Sequence, residues 1–592
     1  VEPRVKAVIP FLAVDGEACE DDYVLLHRSG SHPLTDLRPG GLHTIACLEF
    51  LLQAPKPSIQ VCFGLGYDVN NWLRDLPRAT LANLWETQTC HWRDYRIEWV
   101  PKCWFIVSHI SGRTAKMYEV FGFFQSSFVK ALEAWEIGAP EEIRRMKGER
   151  GSFRRVDIEA VTRYCMGECD YLVSLMEALR SACAEAGFVP SSWHGAGAAA
   201  AALLKAHDTA SFHRHDLDVC SEHVAEEVVQ AAYYGGRVEL LHQGVHHHVV
   251  AADLKSAYPA AMTGLPSLKG GKLERRKRFD PDSFGCWKVS WNCPEGTMIA
   301  PFPVRVKQSI FYPLSGEGVY HTVEVAAALA AGYPVDVHWG WVLRGPQVVV
   351  RPFDWIPKVF EKRAQFKSEG RAAEKAIKLA LNSCYGKLAQ GPSKFVPTPQ
   401  FQSYLWAGHI TAATRARVLT AAVAAEDPIM IATDGIFAKG FTGLGEEGGL
   451  GSWETEDVDK LFAAQAGVYQ ATKGERVHSK SRGFFASEID YGELEEGWER
   501  EGPDHVHHYR STRFQGLGSS LGRKEFGVWR EWRTEPRSIV LWPERKIYGE
   551  GGKLLPFPGK LVSEPYRPKI TLVEARALEN MEGCDQPMVI EI

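Results

Sequence analysis

Seven acidic residues have a spacing that suits chemistry on phosphate esters, five of them where the chain changes its secondary structure. Asp15 and Glu17 end the apolar run 5 to 14, which reads as a strand despite Pro10. Strand residues i and i+2 point to one face, so this pair can share one or two divalent cations about 3.5–4 Å apart, the geometry of two-metal phosphodiester hydrolysis. A solvated strand edge is the alternative these two residues leave open. Asp68 follows Gly66-Tyr67 where a strand over 59 to 64 gives way to a helix over 69 to 76. Glu168 and Asp170 lie on a long helical pattern, 157 to 186, with Tyr164 on the same helix and Leu172, Leu175, Met176 and Leu179 as its apolar stripe. Asp253 ends the short apolar run 249 to 252, ahead of Ser256, Tyr258 and Pro259. Asp434 precedes Gly435 between two apolar runs, a strong hairpin signal.

Cations form a second set. Residues 355 to 367 and 371 to 389 read as two helices joined at Ser368-Glu369-Gly370. The second places Lys378, Asn382 and Tyr385 at i, i+4 and i+7, on one face. Arg363 and Lys367 lie on the first. Cations so placed suit a phosphate-bearing ligand, with a solvated basic helix face as the alternative. Upstream, Tyr233 is followed by Gly235-Gly236, where paired glycines let backbone amides approach a phosphate closely.

The composition is that of an ordinary globular protein: 592 residues, 45% hydrophobic and 24% charged. That length suggests about four domains. A net charge of −5 advertises no global affinity for nucleic acid, so any such surface must be a local groove. The 13 cysteines lack paired metal-ligand spacing and read as reduced thiols, Cys165 and Cys169 included. His242 and His246 to His248 read as strand and loop residues. No apolar run is long enough to span a membrane, and a cytoplasmic protein is expected. Residues 196 to 206 form an alanine-rich helix, 266 to 350 read as irregular, and 406 to 425 form another helix. Trp529, Trp532 and Trp542 are interleaved with Arg523, Arg530, Arg533 and Arg537 near the end. That mixture suits a grip on duplex phosphates, with core tryptophans as the equal alternative.

Taken in order, these motifs resemble the family B DNA polymerases with a ribonuclease-H-like 3′–5′ exonuclease domain. D-x-E on a strand, Tyr-Asp near a helix and Tyr-x-x-x-acid on a late helix match the exonuclease motifs. Tyr233 to Gly236, D-x-x-S-x-Y-P at 253 to 259, K-x-x-x-N-S-x-Y-G at 378 to 386 and the Asp434 hairpin match the polymerase motifs. In compactness the chain is similar to the viral and plasmid, protein-primed branch, which carries an inserted subdomain in the interval now at 266 to 350. The chain departs from the pattern at several places. Glu168 stands for the third exonuclease Asp, with Asp170 as the alternative, and the Asn upstream of Asp68 is absent. Ala432 stands for the first hairpin Asp, Gly435 for Ser, and Gly467-Val468-Tyr469 lacks the usual Lys before Tyr469.

The resemblance implies an α/β (α+β) multidomain fold, an exonuclease domain plus a right-hand polymerase. It places the exonuclease in 1–187, palm in 188–265 and 405–490, the priming-type insertion in 266–350, fingers in 351–404 and a thumb in 491–592. Asp253, the Leu254 carbonyl and Asp434 would hold two Mg²⁺ ions. Asp15, Glu17 and Asp68 would hold a second such pair, with Mn²⁺ as a substitute, and Glu168, or Asp170 in its place, would be a further catalytic carboxylate of the exonuclease. Leu254, Ser256, Tyr258, Arg363, Lys367, Lys378, Asn382 and Tyr385 would bind the incoming dNTP, Tyr258 excluding a 2′-hydroxyl. Tyr233, Gly235, Gly236, Tyr469, Lys480 and Arg482 would contact primer–template DNA. The expected protein is a monomer in the host cytoplasm, with a priming protein or other replication proteins as further partners. Its rivals are a 3′–5′ exonuclease with a degenerate polymerase half and a non-catalytic nucleic-acid scaffold. Only about sixteen residues separate the helix ending near Ala389 from the one starting near Trp406, with Pro392, Pro397 and Pro399 among them. That leaves no room for the strand-separating hairpin usual in this branch.

Overall fold

A computed structural model describes residues 8–20, 22–149, 153–306, 309–445 and 448–541. The start of the first expected strand (5 to 7) and half of the expected thumb, Trp542 included, lie outside them. The chain forms two compact units, one from Val1–Ala206, Glu361–Ser383 and Thr512–Glu535, the other from His207–Phe360, Cys384–Ser511 and Pro536–Ile592.

The first unit is built on an eight-stranded sheet. Its strands are β1 (Phe11–Cys19), β2 (Asp22–Ser29), β3 (Leu34–Leu37), β4 (Ile59–Cys62), β5 (Thr89–Trp92), β6 (Tyr95–Val100), β7 (Trp104–His109) and β8 (Thr114–Glu119), in the order β3-β2-β1-β4-β8-β7-β6-β5. β4 is parallel to both neighbours, and its last three residues are a buried run, as expected of a strand covered on both faces. Pro10 lies just outside β1, so the strand begins at Phe11 and carries Asp15 and Glu17 within it rather than at its end. Helix α1 (Leu65–Trp72) starts four residues earlier than the pattern predicts, because Gly64 turns the chain at φ +90 where a side chain would be strained. Helix α2 (Ile158–Ala186) buries Tyr164, Glu168, Leu172, Leu175, Met176 and Leu179 on one stripe.

The second unit centres on a seven-stranded sheet. Its strands are β9 (Arg237–Leu240), β10 (Gly244–Leu254), β11 (Ala425–Thr433), β12 (Gly435–Phe441), β13 (Trp453–Gln465), β14 (Val468–Lys473) and β15 (Arg476–Lys480), in the order β15-β14-β13-β10-β12-β11-β9. Asp253 lies inside β10, which extends well beyond the expected run 249 to 252. The interval 266 to 350, expected to be irregular, instead holds a four-stranded antiparallel sheet (Lys272–Arg276, Val335–Arg344, Gly285–Asn292, Ser315–His321) and the helix Thr322–Ala330. Its period-2 signal is broken by glycine. Gly340 pairs with Trp287, and a Cβ there would lie 2.3 Å from the indole. Trp287 and Tyr320 join Ile431, Ile436 and Trp453 in one buried cluster, so this sheet and the central sheet share a core.

Candidate functional site

Four strands place one transverse row across the second unit's sheet. Asp253 pairs with Gly435 on one side and Glu454 on the other, and Gly435 pairs with Ala432. Directly paired residues share a sheet face, so Ala432 and Glu454 lie on the Asp253 face, Ala432 two strands away and Glu454 on the adjoining strand. Glu454 is ion-paired to Lys255 at 2.5 Å. Asp434 stands at the β11–β12 turn, after Thr433 at φ +63, and its carbonyl accepts from Leu254 N–H at 3.0 Å. A Cβ at position 435 would lie 3.2 Å from Asp253 Oδ1, so glycine here keeps the space beside that carboxylate open.

Asp253 and Asp434 line one cleft of about 600 Å³ together with Glu456, Tyr469, His478, Lys480 and Arg482. Burial first, then the charges of Asp434 and Glu454, push the Asp253 carboxyl up to about 6. Burial also raises Asp434, while Lys480 lowers it. Two carboxylates held in a cleft that resists their charge are suited to a cation.

Three tyrosines border this arrangement. Ser256, at φ +51, starts the helix Ala257–Thr263 that carries Tyr258. The Tyr258 ring meets the Tyr385 ring at 4.7 Å, and the Tyr385 and Tyr233 hydroxyls lie 2.8 Å apart. The loop from Tyr233 to Gly236 is held from below by helix α4 (Tyr404–Ala424): Arg415 donates to the carbonyls of Tyr234 at 2.7 Å and Gly235 at 2.6 Å, and Thr411 to Tyr234 at 2.7 Å. Arg415 is itself buried against Glu324 through two 2.8 Å bonds. Gly236 has a packing reason beyond phosphate approach, since a Cβ would lie 2.5 Å from Thr433 Cγ2, whereas Gly235 faces open space.

The helix α3 (Ala373–Leu388) carries Lys378, Asn382 and Tyr385, with Lys378 and Asn382 exposed. Arg363 is half-buried and paired to Glu374 at 3.0 Å, and Lys367 is exposed.

The first unit gathers the other carboxylates. Ligand atoms of Asp15, Glu17 and Glu168 lie within 4.8 Å of one another, and so do those of Asp15, Cys62 and Asp68, all buried. Tyr23 donates to Asp68 at 2.7 Å, and Cys62 donates to its other oxygen at 3.4 Å. Glu168 is 4% exposed and ion-paired to Lys147. Asp170, carried as the alternative to Glu168, is exposed and outside both groups, because two residues turn a helix by about 200°. An all-oxygen set such as Asp15, Glu17 and Glu168 suits a hard divalent cation.

Sequence reasoning missed Lys147, Tyr23, Cys62, Arg415 and Glu454. Lys147, Tyr23, Cys62 and Arg415 carry no local spacing that marks them, and Glu454 faces Asp253 from another strand. Only the E-x-E on β13, the same i, i+2 pattern as Asp15 and Glu17, carried a readable signal.

Comparison with known proteins adds an independent line. Residues 145–397 match the family model described as DNA polymerase type B, organellar and viral. The primer-independent DNA polymerase PolB of Escherichia coli is 27% identical over 259 residues, 38% of this chain and 29% of that protein. The DNA-directed DNA polymerase of Enterobacteria phage PRD1 is 24% identical over 318 residues, 44% of this chain and 54% of that one. The chain thus spans between about a third and about half of the length of these curated relatives. In fold it is similar to the Phi29 DNA polymerase complexed with primer–template DNA, with a TM-score of 0.62 at 13% identity, covering 90% of this chain and 100% of that one. The ternary complex of Phi29 DNA polymerase with primer–template DNA and incoming nucleotides gives a TM-score of 0.60 at 14% identity, covering 90% and 99%.

Proposed function

We propose that the chain is a family B DNA polymerase of the viral type, which extends a DNA primer with dNTPs on a template and proofreads the product in the 3′–5′ direction; the match to the type B polymerase model over residues 145–397 supports this reading. The observation that carries the polymerase reading is the Asp253–Asp434 pair, tied through the Leu254 amide and opening on a cleft with Tyr469, Lys480 and Arg482.

Asp253, Asp434 and the Leu254 carbonyl would hold Mg²⁺ at the polymerase site, and Asp15, Glu17, Asp68 and Glu168 at the exonuclease site. Bound there, the ions supply charge neutralisation and a lowered pKa for the attacking hydroxyl or water. The protein's own groups do the rest. Lys378 and Lys367 neutralise the triphosphate, and Arg363 joins them on leaving Glu374. Asn382 and Tyr385 shape the base-pair pocket, and Tyr258 stands where a 2′-hydroxyl would clash. Lys480, Arg482 and Tyr469 hold the primer end near Asp253. At the exonuclease site Tyr23 fixes the Asp68 carboxylate, and Lys147 offsets the negative charge at Glu168.

The reading extends to the domain roles expected above, to a monomer bound to primer–template DNA, and to replication of a viral or plasmid-like genome with a priming protein as a further partner. Primer extension on a labelled template, with and without dNTPs, tests it. Elongation with dNTPs and shortening without them are expected. Shortening in both cases would leave an exonuclease alone, and neither activity would leave a binding scaffold.

A further inference from the structure

The helices Ile356–Ser368 and α3 are joined by a turn at Gly370, where φ is +67. Six cations lie between residues 361 and 383, and their partners differ in kind. Lys362 donates to the carbonyls of Glu185 and Ala186, both at 3.3 Å, Arg371 pairs with Glu185, and Lys375 pairs with Glu136 at 3.4 Å. Arg363 is instead held across the turn by Glu374 of α3. Its Nε and Nη2 both donate to Glu374 Oε1, at 3.2 and 3.0 Å. This pair is drawn further from water than the others: its side chains are 18% and 14% exposed, against 46% for Arg371 and 32% for Lys375.

An exposed ion pair contributes little, whereas a forked, charge-assisted pair screened from water is among the stronger contacts a protein makes. A cation held that way meets a second anion only by giving up the first. Glu374 also stands four residues before Lys378 and eight before Asn382, on the same face of α3. A carboxylate therefore lies one helical turn from the lysine that would meet a triphosphate. Left bare, it would repel that ligand; bridged to Arg363, its charge is neutralised. Phosphate oxygens carry more charge than one carboxylate and match the same guanidinium fork, so a triphosphate competes with Glu374 for Arg363.

We propose that Glu374 is a resident stand-in for a nucleotide phosphate: it holds Arg363 while no nucleotide is bound, yields it to the triphosphate of an incoming dNTP, and recovers it as pyrophosphate leaves. The proposal rests on the polymerase reading for the identity of its ligand. Its consequence is a weaker grip on dNTP than Arg363, Lys367 and Lys378 would give unopposed, because the Arg363–Glu374 pair is lost whenever the nucleotide takes the fork. Glu374 is thus a positioning residue that acts through Arg363, and it sets affinity rather than the chemical step.

The test is titration of dNTP onto the chain bound to a template whose primer ends in a dideoxynucleotide on a phosphorothioate linkage, so that neither extension nor degradation intervenes. Glu374→Gln keeps an acceptor for Arg363 and removes the charge, and it is expected to tighten dNTP binding about tenfold. Arg363→Gln is expected to weaken binding by a similar factor. The double variant should match Arg363→Gln alone, because the gain runs through that arginine. In steady-state extension, Glu374→Gln should show a lower KM with kcat no higher than the parent's. Parental or weaker binding by Glu374→Gln would overturn the proposal, as would a gain that survives in the double variant. Binding in the expected order by a chain that extends no primer would support the stand-in and overturn the polymerase reading. Extension with unchanged dNTP affinity in Glu374→Gln would do the reverse.

Discussion

The rings of Tyr258 and Tyr385 meet at 4.7 Å, although 127 residues separate them in the chain (385 − 258). Tyr385 is in turn held by the Tyr233 hydroxyl, so the wall behind Tyr258 is fixed by two elements other than its own. In the proposed nucleotide site, a ring so backed would clash with an added hydroxyl on the sugar. Tyr258→Ala should therefore raise ribonucleotide use relative to dNTP use by about ten- to hundredfold, while Tyr258→Phe should leave the ratio near that of the parent. The check is single-nucleotide incorporation with each substrate. An unchanged ratio in Tyr258→Ala would place the sugar gate elsewhere.

The buried carboxylates of the first unit order a second set of variants. Asp15→Ala and Asp68→Ala should each abolish Mg²⁺-dependent degradation of single strands and spare primer extension. Glu168→Ala should match them, because Glu168 lies with Asp15 and Glu17. Asp170→Ala should be mild, because its side chain is exposed on another face. Gel assays of labelled single strands read all four. The reverse order for Glu168 and Asp170 would contradict the assignment.

Part of both sites is legible in the sequence. Asp15-x-Glu17, the Asp434-Gly435 turn and the Lys378–Tyr385 face are local patterns, and the backbone periods of strand and helix decide them directly. The strands of 266 to 350 were hidden because glycines stand opposite large rings there, Gly340 against Trp287. Helix α1 was displaced by the left-handed Gly64, a turn that composition alone does not locate. The supports were less legible still. Arg415 reaches back about 180 residues to the loop carbonyls, and Lys147 reaches 21 residues to Glu168. Only the packed chain brings such groups together.

Acid should unfold the second unit through buried neutral histidines. His213 is 5% exposed and bonded to the Gln402 carbonyl at 2.9 Å, and burial lowers it to about 4. The unfolded chain takes up that proton near pH 6.5, the folded chain only near 4. The stability contributed by neutral His213 is thus complete above pH 6.5 and is lost as pH falls toward 4, at about 3 kcal/mol in all. His321, fully buried, shifts in the same direction. His213→Gln keeps a donor for Gln402 and cannot be protonated in this range. Its melting temperature should fall less steeply between neutral pH and pH 4.5, and slopes equal to the parent's would contradict the assignment.

Between Leu388 and Tyr404 the described residues contain no strand, and three prolines remove amides a hairpin ladder would need. We expect weak processivity and poor displacement of a downstream strand without a helper. Extension on a gapped template with a blocking oligonucleotide and excess trap DNA measures this. Kilobase products past the block would refute it.

The central claim is that Asp253 and Asp434 form the polymerase metal site despite Ala432. The most direct measurement is primer extension by Asp434→Ala beside parent, with primer–template affinity measured on the same samples. Loss of extension by about three orders of magnitude or more with DNA affinity nearly unchanged is the expected result, because the substitution removes charge from the metal site and leaves the DNA contacts in place. Extension at the parental rate would contradict it.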